Sequence, residues 1–152
     1  MAPSNQTSST TDAREPRGGL TTRTLCMPAD TNPYGDIFGG WLLGQMDIAG
    51  GIFSASVAQS RTTTVAIDAI NFRKPVSVGD VICVYTDLIS TGTTSMKIHV
   101  EAWVVRRNQS GRFLVTEGNF TYVALNDLGK PHPVHRVPAQ ENTDDTRANG
   151  AS

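Results

Sequence analysis

The chain has 152 residues, 38% of them hydrophobic, with 13 Lys and Arg against 14 Asp and Glu for a formal net charge of -1. This length suits one domain of ordinary size, and the near-neutral balance excludes a protein that holds nucleic acid or an anionic membrane by bulk positive charge. Two cysteines, Cys26 and Cys83, are too few for a disulfide framework and fit a reducing cytoplasmic setting.

Residues 1–18 are mostly Ser, Thr, Pro, Asn and charged side chains, with no apolar run of the kind a secretory signal needs, so a disordered N-terminal tail is expected. Residues 20–27 read as a first strand that stops at Pro28, and residues 29–36 are dense in turn formers. After Gly39 and Gly40, residues 41–58 run without proline for about five helical turns. Strands follow at residues 63–72, Val81–Thr91, 95–106 and Arg112–Leu125, separated by short Gly-containing turns. In residues 95–106, Met96, Ile98, Val100, Ala102 and Val104 share one face and Lys97, His99, Glu101 and Trp103 the other, the pattern of a strand with one buried face. The expected order is strand, helix, then four strands in an antiparallel meander, an α+β fold. Residues 133–152 repeat the polar composition of the N terminus and are expected to be a second disordered tail, which leaves a core domain at 19–132.

The helix is apolar nearly all round, with Asp47 its only charged residue. Internal glycines, Gln45 and Asp47 near its middle and the absence of Lys or Arg at its ends argue against a membrane span. One sheet covers one side of such a helix. The small residues Gly40, Gly44, Gly51 and Ser54 form a row with Asp47 in it, which suits close approach of a second copy of the chain about a twofold axis.

A carboxylate among Met46, Ile48, Ala49, Ile52 and Phe53 bears a desolvation cost, which raises its pKa unless a donor compensates, and makes Asp47 the candidate base. The competing role is a structural hydrogen bond across an interface. Gly39 and Gly40 open the helix, where unpaired amides and the macrodipole can polarise a carbonyl oxygen. Asp47 lies roughly 10 to 12 Å further along the same axis, so one helix cannot easily supply both groups to one carbon. Two antiparallel helices across a twofold axis can. Cys83 reads as core packing, Gln45 as a structural hydrogen-bonding residue, and His132 and His135 lack the acids of a metal site; no G-x-S-x-G elbow occurs.

The stretches Thr24-Leu25-Cys26-Met27-Pro28-Ala29-Asp30-Thr31-Asn32, Gly35-Asp36-Ile37-Phe38-Gly39-Gly40-Trp41-Leu42 and Gln45-Met46-Asp47 closely resemble the YciA-type acyl-CoA thioesterases. Downstream, Asn71-Phe72-Arg73-Lys74-Pro75, Val78-Gly79-Asp80, Gly92-Thr93-Thr94-Ser95 and Glu101-Ala102-Trp103-Val104 also look like that family. The resemblance implies a hotdog fold, a five-stranded antiparallel sheet wrapped around a long central helix, paired into a dimer and commonly assembled as a trimer of dimers. It implies hydrolysis of acyl-CoA to free acid and CoA without a cofactor or metal. Asp47 matches the catalytic carboxylate, as base or nucleophile, Asn32 a partner Asn, and Gly39 and Gly40 the amides that polarise the thioester carbonyl. Lys74, Thr94 and Ser95 look like positions near the nucleotide, and Thr93 stands where some relatives carry Arg. The alternatives weighed are a non-catalytic hotdog module that binds acyl-CoA or a nucleotide, and a hotdog dehydratase, disfavoured because no His lies in the loop or helix.

Overall fold

Proline and glycine punctuate the described residues into one long helix and five strands. The computed structural model describes residues 14–134, and within them β1 (Gly19–Leu25) leads through a short 3-10 turn (Pro28–Asp30) to helix α1 (Gly39–Ala58). Strands β2 (Arg61–Phe72), β3 (Val81–Thr91), β4 (Ser95–Val105) and β5 (Arg112–Leu125) follow. All five join one antiparallel sheet in the order β1-β3-β4-β5-β2. No described helix is long and apolar enough to cross a membrane.

The expected four-strand meander needs correction. Strands β3, β4 and β5 form one, but β2 pairs with β5 at the far edge of the sheet. The link after β2 therefore does not double back as a hairpin onto β3. Val76 is buried and its carbonyl accepts the Ile37 amide at 2.9 Å, which pins the link beside the entrance to α1. From there the chain crosses about three strand spacings, roughly 14 Å, to enter β3.

The inner face of the sheet packs on α1. Met96, Ile98, Val100, Ala102 and Val104 of β4 are all fully buried there with Leu42, Met46 and Ala49. The helix is covered on this side only: Gly44, Ile48 and Ile52 are exposed in the single chain. Ser54 departs from the row of small residues expected to face a second copy, being fully buried with its hydroxyl 2.7 Å from that of Thr62.

The outer face is not the solvated face that alternation predicts. Glu101 and Trp103 are fully buried on it, Trp103 with Cys83 and Leu114 in a small second core. Residues 14–18, expected in the tail, lie over this face, and Val134 at the other end is buried with its amide on the Thr93 carbonyl at 2.8 Å. The remaining tail residues and His135 lie outside the described residues.

Candidate active site

Asp47 sits half-buried in the middle of α1, with the fully buried Met46 and Ala49 on either side in the core and Ile48 exposed. Two hydroxyls donate to its Oδ1, Thr64 at 2.6 Å and Tyr122 at 2.9 Å, and the Tyr122 hydroxyl also lies 3.2 Å from the Asp47 main-chain carbonyl. Thr64 and Tyr122 are direct partners in the β2–β5 register. Facing side chains of such a pair stand about 5 Å apart, so one rung of the sheet brings both hydroxyls to one oxygen. They supply the compensation that a carboxylate among apolar neighbours requires. Oδ2 takes no hydrogen bond from the described residues and is the oxygen left for chemistry.

The helix N terminus is a second, separate element. Its first intrahelical bond runs from the Leu42 amide to the Phe38 carbonyl at 3.1 Å, so the amides of Gly39 and Gly40 have no partner within the helix. Phe38 in the cap position offers no side-chain acceptor. A cleft of about 350 Å³ opens beside these amides, lined by Gly39, Leu42, Phe72, Arg73 and Lys74 among others. Lys74 holds its ammonium 4.9 Å from the centroid of the Phe113 ring. Eight residues of uninterrupted helix, about 12 Å, separate Gly39 from Asp47.

Asn32 organises the loop before the helix. Its Oδ1 accepts the amides of Tyr34 at 2.9 Å and Asp36 at 3.1 Å, and its own amide donates to the Asp36 carbonyl at 2.7 Å. Its side chain therefore bonds within this loop and not to Asp47 in the same chain. Gly35, at φ +88°, supplies the left-handed residue this tight turn needs. Thr94 and Ser95 stand at the β3–β4 turn, where the Thr94 carbonyl accepts the Ala124 amide at 2.9 Å. Lys74 lies near the opposite end of that hairpin: Arg106, just past β4, donates to the Pro75 carbonyl at 3.1 Å. The eleven residues of β4, roughly 33 Å, separate the two, so one chain does not bring Lys74 together with Thr94 and Ser95.

Residues that sequence reasoning left out are Thr64 and Tyr122. The only signal for them is that both are hydroxyl-bearing residues on strands, and alternation does not reveal which helix residue they meet. Of the histidines, His99 lies on β4 as the alternation predicts, and His135 is outside the described residues. His99 joins Glu101 and Glu117 on the outer face, with ligating atoms within 4.8 Å of one another. The Arg14 guanidinium lies between these two carboxylates, bonded to Glu101 and 2.6 Å from Glu117. Burial alone would raise the Glu101 carboxyl, but hydrogen bonds from His99, the Arg17 amide and Trp103, with the charge of Arg14, bring it down to about 2. The same hydrogen bond to Glu101, helped by Asn119 and opposed by burial, raises His99.

Comparison with known proteins gives a consistent result. The family model of the Thioesterase superfamily matches residues 34–110. An acyl-CoA thioester hydrolase YciA of Salmonella typhimurium is 48% identical over 128 residues, 82% of this chain and 96% of that protein. The crystal structure of a hexameric thioesterase from Yersinia pestis is 51% identical with a TM-score of 0.76, covering 80% of this chain and 99% of that one. A hexameric hotdog fold thioesterase of Campylobacter jejuni is 36% identical with a TM-score of 0.73, covering 78% and 91%.

Proposed function

The chain belongs to the Thioesterase superfamily, with the YciA-type acyl-CoA thioester hydrolases as its kin, and from that premise we propose how it cleaves an acyl-CoA to carboxylic acid and CoA. The observation that supports the reading is Asp47, whose Oδ1 accepts the hydroxyls of Thr64 and Tyr122 while Oδ2 takes no hydrogen bond from the described residues. Oδ2 takes a proton from water as the oxygen adds to the thioester carbon, or attacks that carbon itself. The carbonyl oxygen gains negative charge and is held by the amides of Gly39 and Gly40 at a helix N terminus. The C–S bond then breaks, and the CoA thiolate collects the proton that Asp47 took from water. On the nucleophilic route water then hydrolyses the aspartyl anhydride, which releases the acid, restores Asp47 and supplies the proton for the thiolate. Water is the sole co-reactant, with no cofactor or metal in the scheme.

Because about 12 Å of helix separates the two groups, the site is completed by a second copy, with Asp47 of one chain facing the helix N terminus of the other. The exposed Ile48 and Ile52 of α1 and Val65 and Ile67 of the edge strand β2 supply the apolar surface for that pairing. Further assembly as a trimer of dimers agrees with the hexameric neighbours. Asn32 orients the loop at the mouth of the site and presents its amide nitrogen, while Lys74 with Thr94 and Ser95 of different copies contact the nucleotide end of CoA. The catalytic domain extends the expected 19–132 by residues 14–18, which lie over the sheet, and by the buried Val134. Its two thiols are free and buried, which suits the cytoplasm.

Thiol release from short- to long-chain acyl-CoAs tests this reading, with native protein beside Asp47→Ala. Turnover is expected to fall at least about a hundredfold in the variant with its oligomeric mass unchanged. Native-level turnover in the variant would remove Asp47 from the chemistry, and CoA binding without thiol release by the native chain would transfer the assignment to a binding module. In a single turnover in ¹⁸O-water, acid released without label reveals an anhydride hydrolysed at the aspartyl carbon and assigns Asp47 as the nucleophile.

A further inference from the structure

Glycine destabilises the interior of a helix relative to alanine, so each internal glycine of α1 calls for a use. A Cβ added at Gly40, Gly44 or Gly51 would meet nothing within 4 Å in the single chain. Gly50 differs. A Cβ there would lie 2.1 Å from the Tyr122 hydroxyl and 2.7 Å from the ring carbon that bears it. Gly50 is thus a notch in the helix into which the phenol of β5 is seated, and any side chain would push the hydroxyl out.

From that notch the Tyr122 hydroxyl reaches both the main-chain carbonyl and the Oδ1 of Asp47, at 3.2 and 2.9 Å. The ring is fully buried and stacked on Phe120, with centroids 6.4 Å apart at 11°. Burial and the negative charge of Asp47 push the phenol pKa upward, which keeps its proton in place as a donor. Resting on the catalytic reading of Asp47, we propose that Tyr122, admitted by Gly50, is a positioning residue for the hydrolysis. It ties the Asp47 side chain to the backbone of the same residue, which fixes the rotamer. It also shares Oδ1 with Thr64, so Oδ2 is the oxygen that faces water or thioester. A neutral hydroxyl that merely satisfies a buried carboxylate would support the fold but leave the rate per site unchanged.

The experiment measures kcat, KM, melting temperature and oligomeric mass of the full chain for Tyr122→Phe, which removes the hydroxyl alone, and for Gly50→Ala, which displaces it with the tyrosine retained. Asp47→Ala is run alongside. The expected result is a fall in kcat of roughly 10- to 100-fold in Tyr122→Phe, with KM within about twofold and mass unchanged. Gly50→Ala is expected to lower kcat in the same way. Native kcat in Tyr122→Phe overturns the proposal, as does a loss of kcat matched by a collapse in melting temperature or by dissociation, since that assigns Tyr122 to the fold. Turnover lost in Asp47→Ala but kept in Tyr122→Phe overturns only the positioning role. Native turnover in Asp47→Ala overturns the catalytic reading as well.

Discussion

Two hydroxyls on one carboxylate oxygen leave the other oxygen of Asp47 free, and this division of labour comes from a single cross-strand pair, Thr64 and Tyr122. A contrasting hydroxyl lies on the same strand. Thr116 of β5 is fully buried and its Oγ1 has no hydrogen-bond partner among the described residues, a desolvated group with nothing in return. Thr116→Val keeps the shape and removes that cost of about 1 kcal/mol or more, so the melting temperature should rise by a few degrees, read by scanning calorimetry. An unchanged or lower value would mean that the hydroxyl has a partner in the assembled protein. Asn32 was legible as a loop residue at the site, but its Oδ1 bonds to Tyr34 and Asp36 could not be read from residue type.

Helix α1 and the strands were legible to within two residues at most ends, because apolar period and Gly or Pro punctuation report local backbone preference directly. The pairing of β2 with β5 was not, since pairing partners are chosen by tertiary packing at Val76 and Ile37. The outer face of β4 is the other departure. There Glu101 clamps residues 14–17 through Arg14 and the Arg17 amide, and its depressed pKa links that clamp to pH. Glu101 stabilises the fold fully above its ordinary value of 4.5, and this is lost as pH falls toward about 2. His99 acts in the opposite sense: its raised pKa contributes fully below 6.5 and is lost as pH rises through the folded value. The contribution of this network therefore peaks between about pH 4.5 and 6.5. Melting curves of native protein and Glu101→Gln should differ most in that window and converge at the acid end; a constant difference at every pH would remove the linkage.

At the scale of the molecule, one chain holds Asp47 and the open helix end at Gly39 and Gly40 about 12 Å apart, so under the proposed roles they cannot serve the same carbon. The assembly is therefore predicted to be a condition of activity. Val65 on the edge strand β2 is 55% exposed in the single chain, so Val65→Lys should place a charge in the apolar pairing surface. Light scattering is expected to show a smaller mass, and thiol release should fall in proportion to the dissociated fraction. Full activity in a protein of monomeric mass would refute the shared site.

The length of α1, the strands and the inward face of β4 follow from local periodicity and punctuation and were legible in the residue order, while the hotdog architecture was implied by the resemblance of the Asn32 to Asp47 stretch and Asp47 stood out as the candidate acid. Packing of the whole chain was needed to set β2 beside β5, to bring Thr64 and Tyr122 together on Asp47, to use Gly50 for close approach, and to bury Glu101 beneath Arg14. Local patterns record which face of an element is apolar. They carry no record of which distant residue stands opposite, because that is set by strand order and register, and both are selected by the packing of the whole chain.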